Sequence, residues 1–230
     1  MKPMDWHGFD KWFRPIAEFF TPAKCTLCGK LMEEKTEDIC PQCRIEAMVF
    51  SHQTWRITHV KQWCTLWLYR GNVRDALIRF KFMRRPGYGS VFGRELAEKL
   101  KKENYSVDVI TWVPTGFLRK RKRTYDQVEL IAREVAWQLE LPVEKLLRKT
   151  RNNRKQSTLR GKKARAKNVA GVYAPVEGTA IEGKRVLLID DIITTGATVS
   201  EAAGVLKAAG AKTVYSACVA AASDPTFRPD

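Results

Sequence analysis

Residues 185–199 place an apolar run, two acids, a polar loop and a helical pattern in direct succession. The run at 186–189 is typical of a parallel strand that is buried on both faces. We expect Asp190 and Asp191 at the end of that strand. Backbone N–H groups and the positive end of the helix dipole converge at the loop that follows. The pattern therefore predicts a phosphate-binding loop formed by Thr194, Thr195, Gly196, Ala197 and Thr198.

The two acids need a separate reason, because carboxylates beside a phosphate repel it. A ligand with both a phosphate and a vicinal diol removes the conflict, since Asp190 and Asp191 can accept hydrogen bonds from the hydroxyls. The segment thus predicts a phosphorylated ribose as the ligand. The alternative is an ordinary strand-to-helix turn with N-capping threonines.

This segment resembles the phosphoribosyl-pyrophosphate (PRPP) motif of type I phosphoribosyltransferases. The resemblance implies an α/β fold with a mostly parallel sheet flanked by helices. It also implies that Asp190 and Asp191 contact the ribose hydroxyls, that the 194–198 loop surrounds the 5′-phosphate and that Mg²⁺ accompanies the diphosphate. In that family a second loop holds pyrophosphate, and its counterpart here is Pro114, Thr115 and Gly116.

Two C-x-x-C pairs lie near the start of the chain. We expect the protein in the cytosol, where thiols stay reduced, so these cysteines favour metal binding over disulfides. Eleven residues separate the pairs, a spacing typical of a closed structural zinc site. A redox dithiol and two local disulfides are the alternatives. We expect an N-terminal helix and a zinc module in residues 1–60, with the ligands Cys25, Cys28, Cys40 and Cys43.

The remainder, residues 61–230, is expected to form the phosphoribosyltransferase-like domain. Strand and helix patterns alternate there, which favours right-handed crossovers and a parallel sheet. The patterns predict strands at 63–69, 107–113, 186–189 and 213–221 and helices at 73–83, 93–102, 124–139 and 199–209.

Positive charge is concentrated in two segments. The net charge is +16, residues 119–123 are all basic, and the stretch 145–167 has eleven Lys or Arg and no acid. Such density favours an anionic partner, although a generic basic surface remains the alternative. The candidate nucleic-acid contacts are Arg119, Lys120, Arg121, Lys122, Arg123, Gln127, Lys162, Lys163 and Arg165.

Over nearly its full length the chain resembles the ComF family of competence proteins and its gluconate-utilisation relative. The resemblance rests on the cysteine pairs, the run Arg123-Thr-Tyr-Asp-Gln127, the stretch 160–173 and the PRPP motif. Asp126 stands where the family has an amide. The resemblance implies cytoplasmic handling of single-stranded DNA in natural transformation, with other competence or DNA-processing proteins as partners. The sequence shows no apolar run long enough to span a membrane, which also favours the cytoplasm.

Three functions fit these observations. The first is an active phosphoribosyltransferase, for which Lys81 and Arg160 are the candidate catalytic cations that would neutralise the leaving pyrophosphate. The second is a nucleic-acid-binding protein with a genuine PRPP pocket, which the excess positive charge favours. The third is an adaptor that senses PRPP without chemistry.

Overall fold

A computed structural model describes residues 23–33, 37–47, 56–115, 125–150 and 171–222. The helix expected before residue 22 lies outside these residues. The described strands are β1 Gln62–Leu68, β2 Val109–Trp112, β3 Leu147–Lys149, β4 Tyr173–Pro175, β5 Arg185–Ile193 and β6 Thr213–Ala221. The described helices are α1 Pro41–Glu46, α2 Gly71–Phe82, α3 Gly87–Lys101, α4 Gln127–Leu139 and α5 Ala197–Ala208.

The main sheet has the strand order β1-β6-β5-β2, and every neighbouring pair is parallel. Alternate residues of β5 enter two different cores. Leu187 and Ile189 pack with α2, α3 and α4, whereas Val186 and Leu188 pack with α5. Burial on both faces explains why this strand is continuously apolar. The predicted α/β fold, a parallel sheet flanked by helices, is confirmed.

β5 is longer than its apolar run predicts. Its pairing with β2 ends at Ile189, but its pairing with β6 continues to Ile193. Asp190 and Asp191 therefore lie within the strand, beyond the point where β2 has stopped. The carboxyl ends of all four strands face the same edge, which is where parallel sheets bind ligands.

Two further boundaries differ from the sequence prediction. α3 begins at Gly87 rather than at residue 93. It contains Gly89 and Gly93, which lie close to α4 at positions where a Cβ atom would collide with that helix. β3 and β4 form a small antiparallel sheet that the charge pattern concealed. Leu147 is fully buried there although two basic residues follow it. The basic stretch 145–167 therefore begins with a short strand that packs into the core.

The cysteine segment packs directly on the sheet's helices. The guanidinium of Arg79 in α2 donates to the carbonyl of Leu27, and Arg44 pairs with Glu95 of α3 at 3.1 Å. Ile57, from the stretch before β1, packs in the same core as α5. The division of the chain at residue 60 stays a prediction.

We predict that Gly93→Ala destabilises the protein because α3 and α4 leave no room for a methyl group. A Cβ at this position would lie 2.4 Å from Glu134 Cβ and 3.1 Å from the carbonyl oxygen of Ile131. The free energy of unfolding should fall by about 1–3 kcal/mol in urea denaturation. Gly87→Ala is the matched control, since no atom lies within 4 Å of its Cβ position. Equal losses in both variants would contradict the close approach.

Candidate functional site

The carboxyl end of β5 carries two acids, one of which is paired with a lysine. Asp191 Oδ2 lies 2.8 Å from Nζ of Lys81, and both side chains are largely buried. Lys81 lies in the last turn of α2. The structure therefore brings together two residues that the sequence had selected for different reasons, at the edge of the sheet where ligands bind.

Asp190 is buried next to Asp191. Its Oδ1 accepts a hydrogen bond from the backbone N–H of Asp191 at 2.8 Å. Burial, together with the neighbouring charge of Asp191, raises the pKa of Asp190. A buried acid whose pKa is raised by burial and by a neighbouring carboxylate is typical of a functional site, because such an arrangement costs stability.

The predicted phosphate loop joins β5 to α5. Gly196 has φ +74° and is the N-cap of α5, so it offers no side-chain cap. The hydroxyl of Thr195 accepts from the N–H of Ala197, the first residue of the helix, at 3.5 Å. The first N–H groups of α5 and the residues Thr194, Thr195 and Thr198 belong to the same turn of the chain, which is a suitable arrangement for an anion. A Cβ on Gly196 would meet Ile57 Cγ1 at 3.0 Å. Glycine is thus required here by the backbone conformation and by the contact with Ile57, in addition to any approach of a ligand.

Residues at the start of α4 hold the end of α2 in place. The hydroxyl of Tyr125 donates to the carbonyl of Phe80 at 3.1 Å, and the side-chain amide of Gln127 donates to the carbonyl of Lys81 at 3.2 Å. Gln127 is fully buried. Gln127 is thus placed to hold the backbone of Lys81, and its contact with nucleic acid stays a prediction.

Asp126 connects α4 to the predicted pyrophosphate loop. Its Oδ1 accepts from the N–H of Val128 at 3.2 Å as the N-cap of α4. Its Oδ2 accepts from the N–H of Thr115 at 3.1 Å. Sequence reasoning noted Asp126 only as a departure from the family pattern and missed this link. Its position just before a helical pattern was the available signal, because Asp is a favoured N-cap.

The four cysteines of the predicted metal site are close together. Their sulfur atoms all lie within 4.8 Å of one another, and Cys28 and Cys40 are 3.9 Å apart. Sulfurs around a tetrahedral zinc, with bonds of about 2.3 Å, are separated by about 3.8 Å. None of the four forms a disulfide. The cluster fits a metal such as zinc, with the amide of Asn72 donating to Cys43 Sγ at 3.6 Å.

Several predicted site residues fall outside the part of the chain that the structure describes. Pro114 is described and buried, and it follows β2 as the sequence predicts. The residues that lie outside are Gly116, Arg119, Lys120, Arg121, Lys122, Arg123, Arg160, Lys162, Lys163 and Arg165. Among the described helices, none is both long and apolar enough to cross a bilayer.

Comparison with known proteins defines the class. The phosphoribosyl transferase domain family matches residues 87–230, and the chain belongs to this family. The match includes β2, β5 and the loop before α5, so the carboxylate pair and the candidate phosphate loop lie within the family's domain.

Individual relatives match most of the chain. Competence protein ComFC of Streptococcus pneumoniae is 28% identical over 200 residues, covering 83% of this chain and 84% of the relative. DNA utilization protein YhgH of Salmonella typhimurium is 26% identical over 210 residues, covering 85% and 88%. Orotate phosphoribosyltransferase of Thermococcus kodakarensis is 31% identical over 154 residues, covering 60% and 75%. The first two of these relatives confirm the resemblance to the ComF family.

We predict that Asp190→Asn stabilises the protein increasingly as the pH rises. An unfolded Asp ionises near pH 4, whereas burial and the charge of Asp191 raise the pKa of Asp190 in the native state. Above about pH 4 the native state thus binds the extra proton and the free energy of unfolding falls with pH. Asn removes that fall, so the advantage of D190N should be small near pH 4 and grow by up to about 1.4 kcal/mol per pH unit.

The measurement is urea denaturation from about pH 4 to about pH 8, with zinc in every sample. Asp75→Asn is the control for the loss of one negative charge, because Asp75 is exposed. A difference between D190N and the wild type that does not change with pH would contradict the raised pKa.

Proposed function

We propose that the chain binds PRPP at the carboxyl end of β5 and single-stranded DNA through its basic segments, in a cytoplasmic step of natural transformation. The observation that carries the first half is the placement of Asp190 and Asp191 in the strand that leads directly into the N-terminus of α5, whose N-cap residue is a glycine. That placement offers acceptors for two ribose hydroxyls and donors for one phosphate within a single turn of the chain.

Each group in the proposed pocket has a distinct role. Asp190 and Asp191 orient the ribose, and the 194–198 loop holds the 5′-phosphate. Mg²⁺, when bound, neutralises charge on the diphosphate. Lys81 leaves Asp191 and approaches the diphosphate when the ligand enters. This exchange replaces one ion pair with another, which keeps its cost low, and it makes Asp191 available to a hydroxyl.

The four cysteines hold a structural zinc in this proposal. The segment that carries them has few core residues of its own, so metal binding supplies much of its folding free energy. Arg79 connects this segment to α2, the helix whose last turn carries Lys81. Zinc thereby stabilises the helix that presents the lysine.

The DNA-binding half is supported by charge and by the named relatives. The net charge of +16 exceeds what a single diphosphate would balance, and two relatives are named for competence and DNA utilization. Phosphate contacts by lysines and arginines bind nucleic acid without regard to sequence. Other competence or DNA-processing proteins are the proposed partners.

We predict that isothermal titration calorimetry with PRPP and Mg²⁺ detects binding to the wild type. Lys81→Met should weaken that binding at least about tenfold, because the anionic ligand then meets two acids without a cation. Lys101→Met is the matched control, since Lys101 pairs with Glu98 on the surface of α3. Absence of PRPP binding by the wild type would refute the pocket, and equal binding by K81M would remove Lys81 from it. Release of pyrophosphate when a nucleobase is added would favour the active transferase instead.

We predict that replacing Arg119, Arg121 and Arg123 with Ala weakens the salt dependence of single-stranded DNA binding. Loss of three phosphate contacts should make the slope of log affinity against log salt concentration shallower by about two. The measurement is fluorescence anisotropy with a labelled oligonucleotide. The control replaces three basic residues that lie outside both basic segments and form surface ion pairs, Arg74, Lys101 and Arg133. An equal change in both triple variants would mean that only net charge matters.

A further inference from the structure

The carboxylate of Asp126 uses both of its oxygens on two different backbone N–H groups. One belongs to Val128 in the first turn of α4, and the other belongs to Thr115 in the predicted pyrophosphate loop. The residue is only 6% exposed, so water does not compete freely for either bond. The first donor described in the loop is thus already occupied by an anion that belongs to the protein.

Only a carboxylate can satisfy both donors from this position. A side-chain amide of the same shape has one acceptor oxygen and one NH₂ group, which is a donor. If that oxygen capped α4, the NH₂ group would face the N–H of Thr115, and two donors do not bond to each other. An amide at residue 126 would therefore leave the N–H of Thr115 available to a ligand.

The charges around Asp190 also oppose the binding of a diphosphate. Asp126 and Asp191 both raise the pKa of Asp190 through their negative charges, while Lys81 lowers it. These four residues therefore lie close enough to interact, and three of them are acids. A diphosphate that approached the N–H of Thr115 would have to displace a buried carboxylate and would remain near two others.

We propose that Asp126 makes the crevice selective for the ribose 5-phosphate part of its ligand and weak toward pyrophosphate. This inference rests on the proposed phosphoribosyl pocket. The ligand class is then a 5′-phosphorylated ribose in general, including ribonucleoside 5′-monophosphates. PRPP then binds through its ribose phosphate and its contact with Lys81, and its diphosphate gains no hydrogen bond from the N–H of Thr115.

The test compares three ligands by calorimetry: PRPP with Mg²⁺, pyrophosphate with Mg²⁺, and ribose 5-phosphate. Asp126→Asn should bind the first two at least about tenfold more tightly than the wild type, with ribose 5-phosphate changed less than about twofold. Glu129→Gln removes one charge from the first turn of the same helix and should change none of the three. Asp126→Ser, which retains an N-cap oxygen, is the second variant if Asn prevents folding.

Amide hydrogen exchange provides a readout without any ligand. The N–H of Thr115 should exchange faster in Asp126→Asn, while that of Ile131 in the middle of α4 stays protected. Equal tightening of all three ligands would overturn the proposal, since it would indicate a general charge effect. Unchanged PRPP binding in D126N, with ribose 5-phosphate still bound, would overturn the inference alone. Failure of every protein to bind ribose 5-phosphate or PRPP would overturn both the inference and the pocket.

Discussion

The crowding of carboxylates around one ammonium group is the constraint on which the site depends. Asp190 and Asp191 come from β5, and Asp126 comes from the start of α4, yet all three act on the same small region. Lys81 offsets this repulsion through Asp191. A fold that keeps such a cluster loses stability by doing so, and a binding role for the cluster gives a reason for retaining it.

The position of Lys81 depends in turn on hydrogen bonds that side chains of other residues donate to backbone carbonyls of α2. Tyr125 and Gln127 each bond to a carbonyl in the last turn of α2. Carbonyls at a helix end have no partner within the helix, so these side chains complete the helix as well as fix it. The same short run of sequence thus caps α4, holds the loop after β2 and anchors the lysine.

The sequence predicted those parts of the molecule that local pattern determines. The strand at 213–221 was predicted with the bounds that the structure gives, because its apolar residues are bounded by clear turns. The end of β5 was predicted too early, since charge at Asp190 suggests a loop while pairing with β6 continues the strand. Gln127 is predicted as a nucleic-acid contact because it follows a basic run, and only the tertiary structure shows that it is fully buried and bonded to the carbonyl of Lys81. The sequence identified the four cysteines, but not how they join the body, because Arg79 and Leu27 are far apart along the chain.

The contact between Ile57 and Gly196 has a consequence for how the protein can be divided. The side chain of Ile57 lies under the turn that precedes α5, although in the sequence it belongs to the connection between the cysteine segment and β1. A fragment trimmed to the start of β1 would keep every strand of the main sheet but lose this support. The folded unit around the candidate phosphate loop therefore extends beyond the family match at residues 87–230, because the connection before β1 supports the turn at Gly196.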